Sequence, residues 1–108
     1  MINNEQYLEF ARSTAIYPKE RELEYLVLGL TSESGEVAGK LKKIIRDKKE
    51  ITTNIKGTII DELSDVLWYL TRLADCMGIT LTELIQVNHA KLSSRKERGV
   101  LDGSGDNR

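Results

Sequence analysis

The sequence lacks several features that mark common protein classes. Its 108 residues contain one cysteine, one proline and one histidine, and the formal net charge is −1. The single cysteine, Cys76, excludes an internal disulfide and any metal site built from several thiolates. The balanced charge predicts no affinity for nucleic acid or for an anionic membrane. No apolar run approaches about 18 residues and no signal peptide is evident, so we expect one cytoplasmic domain.

Aromatic residues and alternating β-branched residues are also scarce, so helical periodicity dominates the chain. We predict an all-α, four-helix bundle-like protomer with helices at about residues 4–17, 20–48, 54–77 and 80–98. Gly78 is placed to cap the third helix, and Thr80 opens the fourth with a capping box in which the Glu83 side chain reaches the Thr80 amide. The domain is expected to cover residues 1–99, and the Gly-, Ser- and Asp-rich residues 100–108 are expected to be a disordered tail.

Two of the predicted helices carry paired carboxylates beside their apolar faces. Glu33 and Glu36 lie three residues apart in the second helix, and Glu62 and Asp65 lie three residues apart in the third. Residues at this spacing are neighbours on a helix surface, so each pair can converge on one point. If the two helices pack antiparallel, four carboxylates meet and repel one another unless a cation neutralises them. A solvated acidic helix face is the alternative for either pair.

The composition of this carboxylate set indicates which cation it would bind. Oxygen ligands without imidazole or thiolate favour Mg²⁺ first and Mn²⁺ second. The histidine, His89, lies in the fourth helix and far in sequence from both acidic pairs, which argues against a di-iron site built from Glu-x-x-His pairs.

Basic and amide side chains could face these acids from other parts of the chain. Asn88, Lys91 and Arg95 share one face of the fourth helix and could contact a common anion. Lys43 follows the acids on the second helix, and Tyr69 lies on the acidic side of the third. Acids that hold a metal on one wall and cations on another are typical of a polyphosphate site. No Gly-rich phosphate loop is present, so a P-loop enzyme is excluded.

The segments "LGLTSESGEVAGKLKKIIRD" and "DELSDVLWYLTRLADCMGITLTELIQVNHAKLSSR" carry a family resemblance. With their E-x-x-E, E-x-x-D and N-x-x-K-L-x-x-R patterns, the chain resembles the MazG-like nucleoside triphosphate pyrophosphohydrolases of the all-α NTP pyrophosphatase group. The resemblance implies hydrolysis of an NTP or dNTP to the monophosphate and pyrophosphate, in a homodimer or homotetramer. It also implies a Mg²⁺ site formed by Glu33, Glu36, Glu62 and Asp65. It further implies a phosphate site formed by Lys91 and Arg95, with Asn88 in the same segment.

Within this interpretation, Glu36 and Glu62 are the catalytic carboxylates, with Glu36 orienting or deprotonating the attacking water. Two alternatives stay open at this point. One is a non-catalytic helical interaction module, and the other is a related pyrophosphohydrolase specific for dUTP, dCTP or phosphoribosyl-ATP. The sequence does not determine the base that the enzyme would accept.

Overall fold

Four α-helices make up the chain. A computed structural model describes residues 1–108. Its helices are α1 (Asn4–Ser13), α2 (Glu22–Arg46), α3 (Thr53–Cys76) and α4 (Leu81–Glu97), and a 3-10 turn (Lys19–Arg21) precedes α2. No strand is present, so the predicted all-α class is confirmed. None of the helices combines the length and the apolar character that a membrane crossing requires.

Helix α1 is shorter than predicted, because it ends at Ser13 and not near residue 17. The Ser13 and Thr14 hydroxyls donate to backbone carbonyls of the last turn, at Phe10 and Ala11. Pro18 follows four residues after Thr14, and a proline disfavours helical geometry in the residue before it. Tyr17 lies beyond the helix, where its ring stacks on that of Tyr25 at a centroid distance of 4.7 Å. The prediction that the helix reaches residue 17 was therefore wrong.

The caps on either side of the turn between α3 and α4 largely follow the prediction. Gly78 adopts a φ of +81°, the left-handed conformation that a helix-ending glycine supplies. The Thr80 hydroxyl accepts a hydrogen bond from the Glu83 amide at 3.1 Å. The Glu83 carboxylate accepts from the Thr80 hydroxyl and not from its amide, so half of the predicted capping box forms.

Helices α2 and α3 form an antiparallel pair at the centre of the protomer. Gly29 of α2 meets Tyr69 of α3, while Glu22, one end of α2, pairs with Arg72 towards the far end of α3. Leu26 of α2 and Thr71 of α3 are the largest fully buried side chains. Helix α1 packs against α3, and the short loop between α2 and α3 brings their paired carboxylates level with each other.

Helix α4 lies against α3 only near its start, which leaves the protomer open. The Cα radius of gyration is 17.0 Å, whereas a compact domain of about 100 residues has a radius of about 13 Å. Only seven of the 108 residues are buried. An apolar groove of about 730 Å³ runs along α4 and is lined by residues that include Leu70, Leu81 and Leu92.

The tail that we expected to be disordered, residues 100–108, forms neither a helix nor a strand. Its turns are closed by the Arg108 guanidinium, which donates to the backbone carbonyls of Val100, Leu101, Asp102 and Gly105. Leu101 lines the apolar groove beside α4, so the tail covers part of that groove.

Candidate metal and nucleotide site

Three of the four predicted carboxylates meet between α2 and α3. Glu33, Glu62 and Asp65 each place one oxygen so that all three atoms lie within 4.8 Å of one another. Glu62 and Asp65 share a face of α3, and the antiparallel pairing sets Glu33 of α2 opposite them. Glu33 and Glu62 are half-buried, and Asp65 is exposed. We call these three residues the acid cluster.

The surroundings of Glu33 in the acid cluster raise its pKa. Burial is the first cause that raises the pKa of Glu33, followed by a hydrogen bond to Glu62 and by the negative charge of Asp65. Grouped carboxylates favour protonation of one member unless a positive charge replaces the proton. The donor set is all oxygen, so the cluster fits a hard divalent cation such as Mg²⁺.

The fourth predicted ligand, Glu36, does not join the acid cluster. Its side chain is exposed on α2, and its oxygens do not fall within the group formed by the other three. Glu36 acts on Glu33 only as a neighbouring charge that helps to raise its pKa. The predicted set of four converging acids is therefore reduced to three, with Glu36 one turn away on α2.

One lysine, Lys40, pairs with the acid cluster. Its Nζ lies 3.6 Å from Glu62 Oε1, and the two side chains are 33% and 20% exposed. The sequence shows the basis of this contact, since Lys40 follows Glu33 by seven residues and Glu36 by four, which places all three on one side of α2. Lys40 was not among the site residues predicted from the sequence.

The predicted phosphate-binding residues of α4 lie apart from the acid cluster. Asn88 and Lys91 line the apolar groove along α4. Arg95 is buried, with 8% of its surface exposed, and donates to the Asp106 carbonyl at 3.4 Å. Neither Lys91 nor Arg95 forms an ion pair with any acid of the chain, and exposed Lys43 on α2 also forms none.

Tyr69 adjoins the acid cluster on α3, and its ring occupies the space that the missing side chain of Gly29 leaves on α2. Tyr69 lies one helical turn from Asp65, and its ring covers Gly29 so closely that a Cβ at Gly29 would overlap it. Burial, followed by a hydrogen bond with Tyr25, raises the pKa of Tyr69 to about 12. A Cβ at Gly35 would have no neighbour within 4 Å, so α2 and α3 approach closely at Gly29 and not at Gly35.

Trp68 packs within the protomer, on the side of α3 that faces α1. Its indole Nε1 donates to the Thr14 hydroxyl at 2.8 Å, and its ring meets that of Tyr69 edge-on at 5.0 Å. These contacts give Trp68 a packing role between α1 and α3, beside Tyr69.

A second polar cluster, which the sequence did not reveal, lies at the end of the α2–α3 pair where α2 begins and α3 finishes. Arg72, 4% exposed, donates to Tyr17 Oη at 3.0 Å, to Glu22 at 3.1 Å and to Asp75. Arg12 donates to the same Asp75 carboxylate at 2.8 Å and 2.6 Å. We call these five residues the Arg72 network. The spacing of Arg72 and Asp75 fits a helix pair, but nothing local identifies Glu22 as a partner.

Hydrogen bonding keeps the carboxylates of the Arg72 network ionised. The bond from Arg12 is the largest cause that lowers the pKa of Asp75, and Arg72 adds to it against the effect of burial. The bond from Tyr17 is the largest cause that lowers the pKa of Glu22, and the charges of Arg72 and Lys19 act in the same direction. The pKa values of Asp75 and Glu22 are thus lowered, whereas that of Glu33 is raised.

Comparison with known proteins identifies the family of the chain. The MazG nucleotide pyrophosphohydrolase domain family matches residues 21–100, which include α2, α3 and α4. The chain is also 46% identical over 105 residues to the Gene 37 protein of Mycobacterium phage L5, with 91% of this chain and 92% of that protein covered. No solved structure matches the chain significantly. The chain belongs to the MazG nucleotide pyrophosphohydrolase domain family.

Proposed function

We propose that this protein is a Mg²⁺-dependent hydrolase that converts a nucleoside or deoxynucleoside triphosphate into the monophosphate and pyrophosphate. The observation that carries the proposal is the acid cluster, in which three carboxylate oxygens lie within 4.8 Å of one another inside the matched domain. A cluster of this kind needs a cation, and a metal triphosphate is the form in which nucleotides bring one.

In this proposal the carboxylates divide the work of binding and proton transfer. Glu33, Glu62 and Asp65 hold the Mg²⁺, for which Mn²⁺ can substitute. The bound ion supplies charge neutralisation at the phosphate oxygens and lowers the pKa of a coordinated water. Glu36, exposed beside the cluster, orients or deprotonates the attacking water.

The phosphate-binding role of α4 requires more than one protomer. Asn88 and Lys91 lie along the apolar groove, and no ion pair joins Lys91 or Arg95 to the acid cluster of the same chain. The large radius of gyration and the small number of buried residues fit a chain that completes its core against a second copy. The proposal is therefore a homo-oligomer in which Lys91 of one protomer faces the acids of another, and Arg95 joins it when the tail at Asp106 moves aside.

A panel of NTPs, dNTPs and modified nucleotides tests the activity, with monophosphate and pyrophosphate measured in the presence of Mg²⁺. Both products should form from at least one nucleotide and disappear with EDTA. Glu62→Gln should abolish the reaction, whereas Glu97→Gln, at the exposed end of α4, should leave it unchanged. The pattern across the panel also separates a general activity from one directed at dUTP, dCTP or phosphoribosyl-ATP.

Absence of both pyrophosphate release and Mg²⁺-dependent thermal stabilisation would favour the non-catalytic interaction module instead. The oligomer has its own test, which is to mix inactive Asp65→Asn and Lys91→Met variants after exchange of subunits. If acids and cations come from different copies, mixed dimers contain one intact site and about a quarter of the wild-type activity returns. No recovery would contradict the shared site.

A further inference from the structure

Lys40 has a place in the structure that the other lysines of α2 do not share. It is the only cation that forms an ion pair with any member of the acid cluster, since Glu33 and Asp65 pair with none. Its neighbour Lys42 is exposed and forms no ion pair. The free protein thus offsets part of the cluster's negative charge with one internal ammonium group.

The contact between Lys40 and Glu62 is loose enough to be exchanged. The distance of 3.6 Å between Nζ and Oε1 is too long for a hydrogen bond, and one third of the Lys40 side chain is exposed. A lysine ammonium is a compact charge on a flexible four-carbon stem, so it can move by several ångströms without displacing α2. Arg72, by contrast, is 4% exposed and is fixed by several hydrogen bonds.

A divalent cation on the acid cluster would compete with Lys40 for Glu62. Two positive charges that share one carboxylate repel each other, and the repulsion falls when the ammonium group moves outwards. A metal-bound polyphosphate would approach the acid cluster from solvent, to which Asp65 is exposed and Lys40 is partly exposed. An ammonium group released from Glu62 then has a new partner within reach.

We propose that Lys40 is an exchangeable counter-ion, which pairs with Glu62 in the free protein and transfers to a phosphate oxygen of the metal-bound triphosphate. This inference rests on the proposed function and adds a residue to it. Lys40 should therefore oppose the binding of the metal alone. It should favour the binding of the metal together with its polyphosphate.

The test compares Lys40→Met with Lys42→Met, its matched control on the same helix. Mn²⁺ binding is measured by electron paramagnetic resonance in the absence of nucleotide, and KM and kcat are measured with the best substrate of the nucleotide panel. We expect Lys40→Met to bind Mn²⁺ about tenfold more tightly and to raise KM about tenfold, with a smaller change in kcat. Lys42→Met should match the wild type in all three quantities.

Lys40→Arg retains the positive charge and should keep the wild-type Mn²⁺ affinity, and circular dichroism verifies the fold of each variant. An unchanged or weaker Mn²⁺ affinity in Lys40→Met overturns the exchange, provided that the wild type binds Mn²⁺ and releases pyrophosphate. If the wild type does neither, the proposed function fails and the role of Lys40 fails with it.

Discussion

The two polar clusters of the α2–α3 pair, one near its middle and one at the end where α2 begins and α3 finishes, differ in how their charges are balanced. The Arg72 network sets two guanidinium groups against two carboxylates, and short hydrogen bonds join them. The acid cluster sets three carboxylates against one ammonium group at 3.6 Å. Balanced, hydrogen-bonded charges satisfy one another, whereas grouped carboxylates favour uptake of a proton or a cation. The comparison thus separates the structural cluster from the candidate functional one.

Tyrosines occupy the space between the two clusters. Tyr69 and Tyr25 lie 6.1 Å apart between ring centroids, and Tyr25 stacks in turn on Tyr17 of the Arg72 network. This row of rings links α2 and α3 in the stretch between the two clusters.

Removal of Arg72 should have the largest effect on stability. Arg72→Met leaves Glu22 and Asp75 in partly buried positions without their shared cation, and loss of one partner of a buried pair costs about 3 to 5 kcal/mol. The measurement is the free energy of unfolding in urea. Arg21→Ala, which removes the exposed pair with Glu24, is the control and should change stability by less than about 0.5 kcal/mol.

Replacement by asparagine should reduce activity at Asp65 and stability at Asp75, two aspartates ten residues apart on α3. Asp65→Asn should reduce pyrophosphate release by roughly 10²- to 10³-fold and leave stability within about 0.5 kcal/mol of wild type, because it removes a repelling charge. Asp75→Asn should lower the unfolding free energy by about 2 kcal/mol. Equal losses of stability in both variants would contradict the division between the two clusters.

Two glycines of α2 provide a second matched pair, Gly29 between the clusters and Gly35 just beyond Glu33. Gly29→Ala introduces a Cβ that overlaps the Tyr69 ring, so we expect destabilisation by about 1 to 3 kcal/mol. Gly35→Ala meets open space and should stabilise α2 by about 0.5 to 1 kcal/mol. Thermal and urea unfolding measure both. A stable Gly29→Ala protein with unchanged Tyr69 fluorescence would contradict the close contact.

The smallest expected effect is the dependence of stability on pH that the Arg72 network causes. The pKa values of Asp75 and Glu22 are lower in the folded protein than their ordinary values of 3.8 and 4.5. A carboxyl group shifted in this direction adds stability above its ordinary pKa and loses it as the pH falls through the folded-state pKa. Unfolding free energies should therefore decrease from about pH 5 to about pH 3, and less steeply in Asp75→Asn than in the wild type.

The helices and their boundaries could largely be predicted, because the signals for them are local. Apolar periodicity marks α2 and α3, and Gly78 and Thr80 mark the turn between α3 and α4. The exception is the end of α1, where the prediction continued to residue 17. The approach to Pro18 limits that helix, and Tyr17 leaves it for partners on α2.

The candidate site was predictable in its parts and not in its assembly. Spacing along each helix identified both acidic pairs, but both members of the α2 pair were expected to reach the cation. The structure brings Glu33 to Glu62 and Asp65 and leaves Glu36 exposed. Which of two neighbouring residues meets another helix depends on the rotation of each helix about its axis and on the crossing angle, which sequence spacing does not specify.

The sequence by itself determined the all-α class, the helix ends that have local caps, and the two acidic pairs, because each depends on residues within one or two helical turns. The tertiary structure decided that three acids converge, that Lys40 pairs with Glu62 and that Gly29 admits the Tyr69 ring. It also decided that Arg72 finds Glu22, fifty residues away in sequence. These contacts join separate helices, and they exist only once packing has fixed the distance between α2 and α3.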